Sequence, residues 1–158
     1  MTFYDLLWYF TIYSFLGWCS EVIFATVTTG KFVNRGFLNG PVCPIYGFGM
    51  SLVLLVLLPF SDNIPLLFIG GALLTSAIEL VGGWALKKFF HTTWWDYSDQ
   101  PFNLGGYICL KFSILWGLCV VVVIRIVHTA IASFVHWIPF TLGAILVGIF
   151  IALFITDT

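Results

Sequence analysis

Charge is what this chain has least of. Of its 158 residues only 8% are charged, six basic against seven acidic, for a net charge of −1 at pH 7. Soluble domains carry about a quarter charged residues, so an ordinary water-facing surface cannot be assembled from this chain. A net charge so close to zero also leaves no electrostatic footprint for nucleic acid. The four cysteines, Cys19, Cys43, Cys109 and Cys119, form no CxxC pair, and each lies in or beside an apolar run. They read as free thiols packed like small hydrophobes. Also missing are the phosphate-cradling GxxxxGK[ST], the zinc-binding HExxH and the nucleophile elbow GxSxG. No cofactor is expected. No metal is expected either, because His91 with Asp96 and Asp99 is too unspecific a grouping to hold one. The first apolar run has no basic stretch ahead of it and is long enough to span, so it is expected to stay as a helix rather than be cleaved.

What the chain has instead is apolar length. It is 61% hydrophobic, with a mean hydropathy of +1.07. A helix that crosses a bilayer needs about 20 apolar residues, and the sequence predicts about five such spans, at 4–29, 41–60, 64–86, 106–127 and 139–155. The expected fold is an all-α, polytopic membrane helical bundle, a single integral membrane domain over 1–158. Pro41 stands near the first turn of the second span, where its missing N–H is tolerated. Ser61-Asp62-Asn63 makes a tight turn, and Lys87-Lys88 stops the third span. Residues 128–137 read as a short interfacial piece, with His136 and Trp137 at headgroup level. Lys31, Arg35, Lys87 and Lys88 gather on one side and Arg125 lies toward the other. The positive-inside rule then puts the N-terminus outside and the C-terminus inside.

Two polar stretches interrupt the apolar pattern. One is Asn34-Arg35-Gly36-Phe37-Leu38-Asn39-Gly40-Pro41-Val42-Cys43-Pro44. The other runs from Trp94 to Lys111 and carries Asp96, Asp99, Asn103 and the pair Gly105-Gly106. Aligning the spans gives an internal repeat. Glu21, Lys31-Phe32, Asn39 and Cys43 in the first half match Glu79, Lys88-Phe89, Asn103 and Cys109 in the second. The first four spans therefore read as two repeated hairpins with polar or re-entrant loops, related by an axis along the membrane normal.

The candidate ligand-binding residues are Glu21, Arg35, Asn39, Glu79, Asp96, Asp99, Asn103 and Lys111. A carboxylate inside a span costs several kcal/mol and is seldom left against lipid, so Glu21 and Glu79 are expected to face the bundle interior. At about 1.5 Å per residue, each sits roughly 12–15 Å from the basic exit of its helix. Lys111 lies near the start of the fourth span, placed either to snorkel to the interface or to pair with Glu79 or an anion. A guanidinium such as Arg35 suits bidentate recognition of carboxylate or phosphate. Asp96, Asp99 and Asn103 sit among turn formers and aromatics, and irregular backbone at membrane depth is tolerated only under protein or beside a water-filled cavity. The two loops are therefore expected to meet, with Arg35 and Asn39 near Asp96, Asp99 or Asn103.

The motifs in these loops are specific. Gly36-Phe37-Leu38-Asn39-Gly40-Pro41-Val42-Cys43-Pro44-Ile45-Tyr46-Gly47 forms one. Trp95-Asp96-Tyr97-Ser98, followed by Pro101-Phe102-Asn103, Cys109-Leu110, Ser113 and Trp116-Gly117, forms another, and Gly17-Trp18 with Glu21 precedes both. Together they resemble the bacterial ABC-transporter type IV (CmpB-like) permease family over about residues 10–120. The resemblance implies a bacterial cytoplasmic-membrane permease with a polar site at Glu21, Arg35, Asn39, Asp96 and Asn103. It carries no catalytic residue and no substrate with it. A chain without a nucleotide-binding motif would need its ATPase as a separate subunit.

Three functions fit these residues. The first is a small transport or channel component binding a polar solute or ion in the cytoplasmic half of the bundle, alone or as a homodimer. The second is a membrane-embedded enzyme acting on a lipid or lipid-linked phosphate headgroup, with Arg35 and Lys111 holding phosphate while a carboxylate serves as base. The third is a non-catalytic accessory subunit. The partners expected are membrane lipid and, according to function, a polar solute, an ion or a lipid headgroup.

Overall fold

Long apolar runs without interior proline become helices here. The structure, a computed structural model, describes residues 1–157 apart from Arg35, Phe37 and Leu38. Among the described residues there are five helices: α1 (Phe3–Thr29), α2 (Pro44–Phe60), α3 (Ile64–Phe89), α4 (Leu110–Trp137) and α5 (Phe140–Thr156). α1, α3 and α4 are long and apolar enough to cross a membrane, and α2 and α5 are shorter apolar helices. The architecture is the all-α membrane bundle that the composition predicts. Among the described residues it is varied by one antiparallel hairpin of two-residue strands, β1 (Asn103–Leu104) with β2 (Ile108–Cys109).

Three boundaries differ from the sequence reading. α4 starts at Leu110 and not at Gly106, because Gly105 and Gly106 take φ of +60° and +76° to turn the β hairpin. Left-handed backbone of that kind cannot belong to a right-handed helix. α2 starts at Pro44 and not at Pro41, and the Cys43 N–H donates across to the Ser14 carbonyl at 2.9 Å. Residues 128–137, expected as a separate short piece, are the end of α4, which runs through a five-residue π segment, Val123–Val127, without a break. No glycine or proline lies between His128 and Trp137 to stop it. The stop comes where Pro139 disfavours helical backbone at Ile138.

The chain divides into two compact units, residues 1–52 with 129–158, and residues 53–128. In the first, Thr2 and Asp5 form a capping box at the start of α1, with the Asp5 N–H on Thr2 Oγ1 at 3.2 Å and the Thr2 N–H on Asp5 Oδ2 at 2.7 Å. Gly30 ends the helix at φ +70°. α1 and α2 cross on small residues: Gly17 lies under the Tyr46 ring, and Gly47 lies against Ser14 and the Phe10 carbonyl. Aromatic pairs join α1 to α5, namely Tyr4–Phe140 at 5.1 Å, Trp8–Phe150 at 6.3 Å and Phe10–Phe154 at 5.4 Å. Both numbers rise together, so the two helices run parallel.

In the second unit α3 and α4 form an antiparallel pair. Asn63 caps α3 by accepting from the Leu66 N–H at 3.0 Å. Gly71 meets Val120, and Gly117 meets Ala72 and the Phe68 carbonyl. Ser76 donates to Ser113 at 2.6 Å across the same seam. Arg125 closes the far end on Asp62 at 3.2 Å and the Ser61 carbonyl at 3.1 Å. Large apolar side chains point outward in both units: Phe24 is 61% exposed and Leu73 69%. Lipid tails are as apolar as leucine, so helices in a bilayer associate through close packing of small residues and through polar contacts. Both seams have that composition.

Candidate functional site

Glu79 sits on α3, eight residues before Lys87, or about 12 Å along the axis. Its Oε1 accepts from the Trp116 indole N–H on α4 at 2.8 Å and from the Tyr97 hydroxyl at 3.2 Å. Its Oε2 is buried and has no hydrogen-bond partner among the described residues. No cation pairs with it among those residues. The Ser76–Ser113 bridge lies one turn along each helix, three residues from Glu79 and from Trp116 respectively. A carboxylate accepts at about four lone-pair positions. Leaving one buried oxygen unmet costs about 1–3 kcal/mol, and more if it is charged. This half-buried group is therefore set to receive a proton, a cation or the N–H or O–H of a bound molecule.

The loop before β1 delivers Tyr97. Its N–H donates to the Gly106 carbonyl at 2.9 Å, and its ring stacks on Phe112 at 4.6 Å. Asn103 holds the loop shut: its amide donates to the carbonyls of Ser98 at 3.1 Å and Gln100 at 2.8 Å, while its oxygen accepts from the Gly106 N–H at 3.2 Å. Asp96 makes an Asx turn, accepting from the Ser98 N–H at 2.9 Å and hydroxyl at 2.5 Å. Those hydrogen bonds from Ser98, with Lys87 adding a little, hold its carboxyl below the ordinary value. Trp95 donates to the Tyr107 carbonyl at 2.9 Å, and Gly83 on α3 leaves room for both rings. Asp96 and Asn103 thus act through the loop that positions Tyr97. Asp99 is exposed.

In the first unit, Glu21 on α1 accepts from the Tyr46 hydroxyl on α2 at 2.6 Å. Asn34 fastens the neighbouring loop, accepting from the Trp18 indole at 2.6 Å and from the Gly36 N–H at 3.0 Å. Asn39 donates to Asp157 Oδ1 at 3.1 Å, and Gly40 donates to Oδ2 at 2.7 Å. Both intramembrane carboxylates therefore face another element, as the cost of lipid exposure predicts. Lys111 is exposed, with its ammonium 5.6 Å from the Phe112 ring centroid, and it does not pair with Glu79. Arg35, and with it the pairing expected there, lies outside the described residues.

Sequence reasoning missed the donors Tyr46, Tyr97 and Trp116, and the acceptor Asp157. A signal for them existed. A carboxylate buried among apolar residues requires N–H or O–H groups at its own depth, and in lipid-compatible segments those come from tyrosine, tryptophan and serine. Tyr97 stands next to Trp94 and Trp95 in the sequence, a pattern that an aromatic belt shares, so its role as a donor is hidden there.

A family model described as "Putative ABC-transporter type IV" matches residues 8–158. Comparison with curated proteins and with solved structures gave no match.

Proposed function

Because the chain belongs to the ABC-transporter type IV family, we propose that it is a small integral membrane component of a transport system in which Glu79 receives the cargo, an ion or a small polar solute. The observation that carries this is the buried, unmet Oε2 of Glu79 beside an Oε1 already held by Trp116 and Tyr97. A cation, or a solute N–H or O–H, would complete the carboxylate without breaking either existing bond. The hydroxyls of Ser76 and Ser113 can rotate to the same ligand, since a hydroxyl both donates and accepts.

Glu21 with Tyr46 would be the counterpart in the other half of the sequence repeat. The basic residues Lys31, Arg35, Lys87 and Lys88 favour a cytoplasmic position for both polar loops, with the N-terminus outside and the C-terminus inside. An ATPase on a separate chain, the partner that the family name implies, would reach the protein from that side. The lipid-headgroup enzyme would need Lys111 and Arg35 on a phosphate. Lys111 lies over Phe112, and no observation favours that second reading.

The test is a thermal-unfolding screen of the detergent-purified protein against alkali cations, ammonium, small amines and polyols. A ligand at a hundred times its Kd stabilises by about 2.7 kcal/mol. At least one member should stabilise the wild type and leave Glu79→Gln unmoved. If no member distinguishes the two proteins, Glu79 does not hold the cargo.

A further inference from the structure

A cavity of about 860 Å³ lies within the first unit. That is within the ordinary range for a ligand pocket, about 300–1,000 Å³. Ile12 from α1 and Leu146 from α5 are part of its apolar wall, and Asp157 stands at one end with Gly40. From Leu146 to Asp157 is eleven residues of α5, so the cavity is at least about 16 Å long. Phe15 and Phe134, also in the wall, are 46% and 52% exposed, so the cavity is open at those two rings. Protein interiors are packed like organic crystals, and a void of this size calls for an occupant.

Two polar groups describe that occupant. The Asp157 carboxylate accepts once at each oxygen, from Asn39 and Gly40, which leaves about two of its four lone-pair positions open. It has no cation partner among the described residues. Trp8 is only 4% exposed and lines the cavity, and its indole N–H has no hydrogen-bond partner among the described residues. The ring packs on Phe150, seven residues or about 10 Å along α5 from Asp157. The order along the cavity is thus an anion, then a buried donor, then an apolar remainder reaching toward Phe134.

We propose that the cavity holds one phospholipid with a primary-ammonium headgroup. The ammonium, which has three donors and no acceptor, fills the open positions on Asp157. An ester carbonyl accepts from Trp8, whose enclosed N–H turns toward the cavity to reach it, and an acyl chain runs between Ile12 and Leu146. An anionic headgroup without an amine would meet Asp157 as a like charge. A quaternary ammonium would bring charge but no N–H. This site is independent of the reading of Glu79.

Native mass spectrometry of the detergent-purified protein tests the proposal. The protein is titrated with phosphatidylethanolamine, phosphatidylglycerol and phosphatidylcholine of identical chains. One phosphatidylethanolamine should bind first, with a preference of about tenfold over phosphatidylglycerol, the size of one charge-assisted hydrogen bond. Asp157→Asn should erase that preference, and Trp8→Phe should weaken all three lipids while leaving their order. Circular dichroism checks that the variants fold. The competition on the wild-type protein decides the matter even if they do not. No bound lipid, no preference for the amine, or a preference unchanged in folded Asp157→Asn would each overturn it.

Discussion

At Glu21 the phenol that meets the carboxylate stands on the neighbouring helix, three residues after Cys43. At Glu79 it stands on a loop, twelve residues before Cys109, and a tryptophan on the helix joins it. The donors are alike in chemistry and do not occupy matching positions. In the first unit the geometry depends on how closely two helices approach, since Tyr46 is held by lying over Gly17. In the second it depends on how a loop folds, since Tyr97 is held by Gly106, Phe112 and the bonds of Asn103. A bilayer-embedded carboxylate is thus met from a packed helix in one unit and from a folded loop in the other. The loop arrangement couples the buried group to residues that water can reach.

The largest effect is expected where packing does the holding. A Cβ on Gly17 would overlap Tyr46 at its Cβ and the base of its ring, not at a free tip. Gly17→Ala should therefore destabilise the protein by about 1–3 kcal/mol, the usual size for overpacking, as read by thermal unfolding in detergent. A loss below a few tenths would show that α2 slides freely on α1 and would remove the contrast.

Next comes the carboxylate in the second unit. Glu79→Ala leaves the Trp116 and Tyr97 donors unmet in a buried place, at about 1–3 kcal/mol. Glu79→Gln keeps an acceptor oxygen and should cost clearly less. Equal losses in the two variants would mean that the hydrogen bonds contribute little and that side-chain volume is what counts.

The loop should transmit a smaller change. Gly106 has φ +76°, and a Cβ there would crowd Ser98 and the Asp96 carboxylate. Gly106→Ala should cost about 1 kcal/mol or slightly more, and amide hydrogen exchange should rise at Tyr97 as well as at residue 106. Exchange that rises at 106 alone would uncouple the loop from Glu79.

The smallest effect is expected with pH. Asp96 has its carboxyl held below the ordinary 3.8 by the Ser98 hydroxyl and N–H. A depressed carboxylate contributes its stability above the ordinary value and loses it as pH falls through the folded value. Loop order should therefore be flat from neutral pH down to about 4 and fall below it. Ser98→Ala removes the stronger of the two bonds, so it should loosen the loop at neutral pH and make the fall below pH 4 smaller. A loop that loosens between pH 7 and 5 would point to a different group.

The sequence by itself determined the solvent and the elements. Few charges and long apolar runs leave the bilayer as the only medium that does not penalise the exposed face. Proline and the Lys87-Lys88 pair set the ends of most helices, and the cost of a carboxylate in lipid made Glu21 and Glu79 stand out. What it could not determine was who meets them. Tyr46, Tyr97 and Trp116 are ordinary aromatics in a chain that is 19% aromatic, and nothing local separates a donor from a lipid-facing ring. The three places where the helices depart from the expected spans have the same origin. Whether Gly106 opens a helix or turns a hairpin depends on the bonds that Tyr97 and Asn103 bring to it from nine and three residues away. Whether residues 128–137 form a piece of their own or continue α4 depends on packing and not on composition. Tertiary structure decided these points because a hydrogen bond is a matter of position: its worth is set by which groups arrive at the same depth, and that depth is fixed only when the helices pack.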